Sequence, residues 1–282
     1  MRRASNIIFP AVCGLCAIVA CGLLFGLVFV IAQRGVPALS WTFFTDQIRQ
    51  VGSAGGIFYN LLGTLILIGT AVVICAPIAT ALALTQTIYL TNDATKSRLA
   101  LFLYTLNGIP SIVFGIFGFI VFVKFFGWGK SWLIGGILLA LMILPTVTVA
   151  LIERIRALPR KYVEAATGLG LRQSQIIWSV ILPQSWSGLL TGSLLGLARA
   201  AGETAPIMFT ATIFAGATLP QGIRESPVLS LPYHIFILAQ DSFDPGVGAK
   251  LWGSALVLLL LVFLLSMIAL PFRLRVHDEA HA

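Results

Sequence analysis

The chain has 282 residues, of which 58% are hydrophobic and 10% are charged, and its mean hydropathy is +0.98. A soluble domain of this length cannot bury so much apolar surface, so the composition indicates an integral membrane protein. The same composition excludes a disordered chain, a disulfide-stapled secreted domain and a nucleic-acid-binding domain, since only 28 side chains, 18 basic and 10 acidic, are charged.

Long stretches with almost no charged residues recur along the chain, and each reaches the ~20 residues that a helix needs to cross a bilayer. They cover residues 7–32, 57–95, 99–123, 131–152, 173–198, 204–223 and 251–272. The fifth and sixth stretches are separated by Arg199-Ala-Ala-Gly-Glu203 without a polar turn, so we interpret residues 184–223 as one helix kinked near Gly202 and Pro206. The sequence therefore predicts an all-α membrane protein with six transmembrane helices.

Basic residues near the ends of the spans predict the orientation of the chain. With six spans, one side of the membrane holds eleven of them, namely Arg2, Arg3, Lys96, Arg98, Arg154, Arg156, Arg160, Lys161, Arg172, Arg273 and Arg275. The other side holds six, namely Arg34, Arg49, Lys124, Lys130, Arg224 and Lys250. Because cytoplasmic loops carry the excess of Lys and Arg, both termini are predicted to be cytoplasmic, whereas seven spans would place Arg273 and Arg275 outside.

The N-terminal segment has two interpretations. Arg2 and Arg3 before an apolar run are typical of a signal peptide, and Ile18-Val19-Ala20-Cys21 fits a loose lipoprotein cleavage pattern. The apolar run continues eleven residues past Cys21 and no soluble domain follows, which favours an uncleaved transmembrane helix. We therefore predict a first helix with an outer loop over residues 1–51, a transmembrane core over 52–276 and a cytoplasmic tail over 277–282.

The sequence predicts no catalytic, cofactor or metal site. The histidines His234, His277 and His281 are far apart in the sequence, and no cluster of Cys, His and Asp has the spacing of metal ligands. Gly129-Lys130-Ser131 matches the end of a phosphate-binding loop, but Lys124 stands where the first glycine of that motif belongs. An intramembrane enzyme therefore has no support in the residues of the spans.

Glycines on the fifth span have a regular spacing. Gly188, Gly192 and Gly196 recur every four residues, which predicts a stripe along which another helix backbone approaches closely. Two interpretations of the stripe remain open, a static packing contact and a contact that moves.

Arg199 and Glu203 are the only charged residues deep within a predicted span. Their i, i+4 spacing places them on one face of a helix. A charge at the bilayer centre costs roughly 2.5–3.5 kcal/mol, so both side chains are expected to face the protein interior or water. We predict that Arg199, Glu203 and Thr204 line a pathway, and a buried ion pair that only fixes the helix register is the alternative.

The cytoplasmic segment 153–183 is too long for a turn and carries seven charges. Pro159 and the Glu-Ala-Ala sequence after Tyr162 predict a short helix, which Gly168 and Gly170 stop, and apolar residues at helical spacing follow. The pattern indicates two short helices with an exposed turn between them. A partnerless amphipathic helix on the membrane surface is the alternative.

Several motifs carry a resemblance to a known family. Glu164-Ala165-Ala166, then Gly170 after three residues and Val180-Ile181-Leu182-Pro183 after nine more, resemble the EAA loop of ABC importer permeases, which usually have Ile where this chain has Val180. The segment Arg199-Ala-Ala-Gly-Glu-Thr-Ala-Pro206, with Gly55-Gly-Ile-Phe-Tyr-Asn60 and Asn107-Gly-Ile-Pro-Ser111, resembles the phosphate branch of that family, the PstA-type permeases.

The resemblance implies the type I ABC importer permease fold, in which the loop at about 153–183 couples to a separate ATPase in the bacterial inner membrane. The residues implied in ATPase coupling are Glu164, Ala165, Ala166, Gly170 and Pro183. The implied partners are a second, PstC-type permease, a PstB-type ATPase dimer, a periplasmic PstS-type binding protein and inorganic phosphate. This chain would then supply half of the channel and no catalysis.

Two other classes of transporter remain as alternatives. A sulfate or molybdate permease of the same family would share the coupling loop. A secondary transporter driven by an ion gradient would also use buried charges, although such proteins usually show duplicated halves, and this sequence shows no duplication.

Overall fold

The computed structural model describes residues 2–49, 54–214, 216, 219–240 and 245–281. Helices account for most of these residues. In chain order they are α1 (Arg2–Gly35), α2 (Trp41–Thr45), α3 (Phe58–Leu84), α4 (Asp93–Gly108), α5 (Ser111–Gly118), α6 (Trp132–Arg156), α7 (Arg160–Gly168), α8 (Gln173–Ile176), α9 (Leu182–Ala201), α10 (Ala205–Thr210), α11 (Leu231–Gln240) and α12 (Pro245–His281). The predicted boundary between residues 51 and 52 lies outside the described residues.

Short segments of other geometry extend or join these helices. Three π-helical segments lie at Thr85–Tyr89 after α3, at Phe119–Phe125 after α5 and at Ile177–Ile181 between α8 and α9, and a 3₁₀ turn lies at Val36–Ala38. The strands β1 (Ile48–Arg49) and β2 (Ala54–Gly55) pair antiparallel, with Ile48 opposite Gly55. This small hairpin lies between α2 and α3, in the loop predicted to be external.

The structure confirms an all-α membrane fold. Within the described residues, four helical segments are long and apolar enough to cross a membrane, namely Val12–Ala38, Phe58–Tyr89, Trp132–Arg156 and Gly246–Ile268. A fifth span results if α4 and Ser111–Phe125, which joins α5 to its π extension and is called the α5 segment, count as one, although the two are bent by 89°. The helix α9 has 20 residues, which corresponds to about 30 Å at the usual rise per residue. The count of six spans stays a prediction.

Two predicted spans differ from the structure because their helices break. The stretch 99–123 turns sharply at Ile109-Pro110, where the proline holds the preceding residue in an extended conformation. The predicted helix 184–223 ends at Ala201, resumes only as the short α10, and is followed by non-helical described residues up to Ser230. What the sequence indicated as a kink is therefore a complete interruption.

The helix α6 forms the centre of the fold. Of its most apolar 18-residue window, 67% is buried by the rest of the chain, whereas none of the corresponding window of α1 is buried. The main core joins α3, α6, α9 and α10, and its buried side chains include Leu67, Ala71, Leu139, Ile143, Val147, Ala200 and Ile207. The residues that precede and follow Gly202 are therefore fixed to the most buried part of the molecule.

The helix α1 lies at the periphery and contacts α12. The guanidinium of Arg34 lies 5.1 Å from the centre of the Trp252 ring, and a Cβ at Gly35 would come within 2.7 Å of the Trp252 carbonyl oxygen. Most of α1 is exposed, with Leu23 and Phe25 at 71% and 72%. In a membrane protein such apolar side chains face lipid or another subunit.

Candidate functional site

Two helix breaks lie at the positions where two of the sequence motifs occur. In the first, α4 ends at Gly108 and Pro110 precedes α5 in an extended conformation, with φ −57° and ψ 135°. In the second, α9 ends at Ala201, and α10 begins at Ala205 with a proline in its first turn. Proline suits the first turn of a helix because the missing N–H group would have no helical acceptor there.

A hydrogen bond joins the two breaks. Arg199, in the last turn of α9, donates from Nη1 to Oδ1 of Asn107 over 2.7 Å, and Asn107 is the penultimate residue of α4. Both side chains are exposed in the single chain. A guanidinium has five N–H donors arranged as a planar fork, so donors remain that can bind an anion. Arg199 therefore presents a positive charge at the junction of two interrupted helices.

Glu203 and Thr204 lie beyond the end of α9, in the non-helical joint 202–204. The N–H of Glu203 donates to the Ala200 carbonyl over 3.2 Å, and the Thr204 carbonyl accepts from the Met208 N–H over 3.0 Å. The prediction that Arg199 and Glu203 share one helical face is wrong, because helical geometry stops at Ala201. Among the described residues, Arg199 and Glu203 form no ion pair, so the structure gives no support to a register-fixing salt bridge.

Close packing fixes α10 against α5. A Cβ at Gly115 would come within 2.6 Å of the Ala205 carbonyl oxygen and 3.1 Å of the Pro206 Cα, so only glycine permits this approach of the two backbones. On its other side α10 places Ile207 in the main core, where that side chain is 2% exposed. The residues after the joint 202–204 are thus held rigidly, and the joint connects two packed helices.

The glycine stripe of α9 packs on α6. A Cβ at Gly192 would lie 2.9 Å from the Ala150 Cβ, and one at Gly196 would lie 3.2 Å from the Ile143 Cβ. The side chain of Arg154 fills the space at Gly188, and a Cβ placed at Gly188 would lie 2.4 Å from the Arg154 Cβ. The two helices therefore approach each other closely along the whole stripe.

Arg154 is a buried residue that the sequence analysis placed only as a cytoplasmic charge. It is 7% exposed, and its Nε donates to the Gln184 carbonyl over 3.2 Å. The bond joins the end of α6 to the start of α9, on either side of the cytoplasmic segment. No local sequence pattern indicates that Arg154 is buried, because the space for its side chain exists only where Gly188 of a distant helix has no Cβ.

The segment 153–183, which the basic residues predict to be cytoplasmic, has the predicted short helix and exposed turn. Glu164 and Ala165 of α7 are exposed, whereas Ala166 is 5% exposed and packs in a cluster with Ala83, Leu151 and Ile176. The second helix differs from the prediction, because α8 continues through the π segment directly into α9. Pro183 is exposed in the first turn of α9. The segment therefore connects rigidly to the helix that carries Arg199.

Gly170 lies at the tip of that turn in a left-handed conformation, with φ +76°. Its N–H donates to the Thr167 carbonyl over 2.9 Å, and the Leu171 N–H donates to the Ala166 carbonyl over 3.2 Å. These two bonds form the Schellman motif that ends many helices. Glycine adopts this backbone conformation without steric cost, and α7 ends two residues before it.

Asn107 was quoted in a sequence motif but was not predicted as a site residue. Its partner Arg199 is 92 positions away in the chain, so the pairing becomes visible only in three dimensions. The signal available in the sequence was a polar residue next to Gly108 and Pro110, within an otherwise apolar stretch.

Comparison with known proteins identifies the family of this chain. The family described as "Binding-protein-dependent transport system inner membrane component" matches residues 77–276. The "Phosphate transport system permease protein PstA" of Haemophilus influenzae is 32% identical over 246 residues, which cover 84% of this chain and 83% of the relative. The "Phosphate transport system permease protein PstA 2" of Mycobacterium bovis is 30% identical, over 95% of this chain and 86% of the relative.

Other similarities are less specific. The "Probable ABC transporter permease protein YqgI" of Bacillus subtilis is 26% identical over 95% of both chains. A solved structure of the MetNI methionine ABC transporter in an inward-facing conformation matches with a TM-score of 0.56 and 16% identity, over 79% of this chain and 94% of that chain. At this identity the match shows a shared fold.

Proposed function

The chain belongs to the binding-protein-dependent transport system inner membrane components, and we propose that it forms half of the transmembrane pathway of an ATP-driven importer of inorganic phosphate. It is a multi-pass ABC importer permease of the inner membrane, of the PstA type. The observation that carries the substrate proposal is Arg199, whose guanidinium is exposed at the junction of two interrupted helices and bonded to Asn107. The names of the PstA relatives support phosphate as the substrate.

The chemistry of Arg199 suits a transported phosphate. Its planar fork matches two phosphate oxygens, and a guanidinium stays charged in proteins. The bond to Asn107 fixes the direction of the side chain and leaves other N–H groups for the anion. An isolated guanidinium would retain a dianion too strongly, and the carboxylate of Glu203 in the adjoining joint reduces that attraction and accepts a hydrogen bond from protonated phosphate. Thr204 adds a hydroxyl in the same joint.

The cytoplasmic segment is the proposed docking site for the ATPase. Glu164, Ala165, Gly170 and Pro183 are exposed, as a contact surface for a partner requires, while Ala166 holds α7 on the core. The partner is a PstB-type dimer that hydrolyses ATP, so this chain is not itself an enzyme. Because α8 runs through the π segment into α9, displacement of the docked segment moves the helix that carries Arg199 in its last turn. This continuity is the proposed mechanical link between ATP hydrolysis and the pathway.

The remaining partners of the proposal follow from the similarity to PstA permeases. A second permease of PstC type supplies the other half of the channel, and a periplasmic PstS-type protein delivers phosphate. Both termini are cytoplasmic in this proposal, as the bias of basic residues predicts. The proposed domains remain the first helix and outer loop over residues 1–51, the permease core over 52–276 and a tail over 277–282, in which α12 continues to His281.

Transport by the reconstituted complex tests this function. We expect proteoliposomes that contain both permeases and the ATPase, with the binding protein and ATP, to accumulate labelled phosphate despite a tenfold excess of sulfate or molybdate. The control is an ATPase-inactive complex, which should accumulate none. Accumulation of sulfate or molybdate in place of phosphate would establish the alternative oxyanion, and uptake driven by an ion gradient without ATP would establish a secondary transporter.

A further inference from the structure

Lys130 lies in the loop between the α5 segment and α6, which the charge pattern places outside the membrane. Its ammonium donates to the Met208 carbonyl over 3.0 Å and to the Thr212 carbonyl over 3.1 Å. Met208 belongs to α10, and Thr212 follows the end of that helix. The last carbonyls of a helix lack helical donors and carry partial negative charge, so a cation is stabilised there.

Neighbouring residues of the loop add bonds to the same region. The Ser131 N–H donates to the Thr210 carbonyl over 2.8 Å, and its hydroxyl donates to the Ile223 carbonyl. Trp132 donates from its N–H to the Ser226 carbonyl over 3.1 Å and from its indole nitrogen to the Gly222 carbonyl over 2.8 Å. The loop before α6 and the chain on both sides of the end of α10 are therefore one hydrogen-bonded unit.

The opposite end of α10 is fixed by packing. Gly115 of α5 permits close contact with Ala205 and Pro206, as described above. The chain that enters α10 is less closely packed. Residues 202–204 are non-helical, and a Cβ placed at Gly202 would have only the Arg199 carbonyl oxygen nearby, at 3.7 Å. The α10 helix is thus held by α5, by the loop and by the main core, and a non-helical joint connects it to α9.

Lys130 is held in a partly desolvated position. Burial lowers the pKa of its ammonium, as withdrawal of a charge from water requires. Reduced solvation also strengthens the bonds between this cation and the two carbonyls. Lys124, in the preceding π segment, provides a contrast, since it is exposed and its ammonium lies 5.6 Å from the Phe119 ring centre.

We propose that Lys130 is a positioning residue for transport, which locks the end of α10 to the loop before α6 and thereby fixes the position of the chain that follows the joint 202–204. Lys130 touches no substrate and acts through α10. The inference rests on the proposed function in that α10 follows directly on the joint beside Arg199, so that its position sets the geometry of the pathway there. It assigns a role to the Gly-Lys-Ser sequence, which as a nucleotide motif lacks its first glycine.

Amide hydrogen exchange in the purified complex tests the lock without any phosphate. In Lys130→Met we expect exchange at Met208, Ala211 and Thr212 to be about tenfold faster than in the wild type, because the charge-assisted bonds that hold the end of α10 are lost. Lys130→Arg keeps a donor and the charge, so its exchange should return most of the way to the wild-type rate. Lys124→Met removes the same charge nearby and should leave these amides unchanged.

Coupling of ATP hydrolysis to transport provides the functional measurement. At equal assembly, Lys130→Met should import several-fold fewer phosphate ions per ATP hydrolysed, while Lys130→Arg and Lys124→Met stay close to the wild type. Wild-type exchange and coupling in Lys130→Met would overturn the proposal, and equal losses in Lys130→Met and Lys124→Met would show that only the external positive charge matters. If the wild-type complex imports no phosphate but Lys130→Met still speeds exchange, the phosphate assignment fails and the lock stands.

Discussion

Gly170 combines a special backbone conformation with an exposed position on the proposed ATPase-docking surface. Its positive φ completes the turn after α7, and among the described atoms none lies within 4 Å of a Cβ placed there. A side chain at this position would therefore cause backbone strain but no steric clash within the chain. The consequences of a substitution can thus be separated into an effect on the turn and an effect on the partner.

We expect Gly170→Asp to insert into the membrane at a normal level and to lose most coupled ATP hydrolysis and uptake. The substitution adds a charge at the docking turn and strains the left-handed backbone by about 1 kcal/mol. Gly170→Ala should give an intermediate loss, because it brings the strain alone. Gly168→Ala is the matched control, since Gly168 is also exposed and has no positive φ. Normal substrate-stimulated ATPase activity in Gly170→Asp would remove the docking hypothesis.

At the scale of elements, α11 is held on α3 by buried polar groups. The Leu231 N–H donates to the Thr64 hydroxyl over 2.8 Å, and Asn60 Nδ2 donates to the Ser230 carbonyl over 3.5 Å. His234 lies on the same helix, 2% exposed, outside the candidate spans. Burial, and then the charge of Lys250, lower the pKa of His234 to about 4. The folded protein therefore keeps this imidazole neutral.

This burial predicts a pH dependence of stability. Because the folded pKa lies below the unfolded value of 6.5, the unfolded chain binds more protons between these values, and stability falls as the pH drops from 6.5 towards 4. The contribution of His234 is about 3 kcal/mol across that window. In purified His234→Gln, the apparent melting temperature should depend less on pH between pH 7 and pH 4 than it does in the wild type. An unchanged slope in the variant would show that other groups cause the dependence.

The elements that the sequence predicted correctly are those with local signals. The end of α7 follows from Gly170, and the four-residue spacing of Gly188, Gly192 and Gly196 indicates a face for close helix contact, although it does not identify α6 as the partner. The helix breaks at Ile109-Pro110 and at residues 202–204 were harder to predict, because the backbone groups left without helical partners at helix ends bond to residues distant in the sequence. The carbonyl of Thr210, for example, accepts from Ser131. Hydropathy describes the apolar stretch and carries no information on such partners.

The site was only partly predictable for the same reason. Arg199 was identified because a charge within an apolar stretch is costly, which requires no knowledge of its neighbours. The bond to Asn107 and the position of Glu203 beyond the helix end depend on the two breaks. Helical periodicity does not apply to Glu203, because the helix ends at Ala201, and it therefore predicted a wrong position for this side chain relative to Arg199.

The molecule as a whole leaves much of its apolar surface uncovered. Besides α1, a groove of about 890 Å³ runs between α3, α6 and the start of α9, with Pro77, Trp178 and Trp186 among its lining residues. A membrane-embedded chain of this shape is expected to contact lipid and a second subunit. These exposed faces agree with a permease that provides half of a pathway, and the complete pathway then depends on the assembled importer.

The central claim is that Arg199 serves the transported anion, and uptake by assembled importers carrying substitutions at Arg199 and Glu203 tests it most directly. Because Arg199 is exposed and forms no ion pair with Glu203 in the described chain, Arg199→Gln should leave membrane level and assembly intact. Phosphate uptake should nevertheless fall to background. Arg199→Lys should also be poor, because an ammonium cannot reproduce the two-point contact of the guanidinium.

The double variant Arg199→Gln with Glu203→Gln distinguishes a substrate role from a structural one. If the two charges served only each other, their joint removal would restore what each single change had lost. We predict a well-assembled importer without phosphate uptake in the double variant. Recovery of uptake to the wild-type rate in that variant would contradict the account.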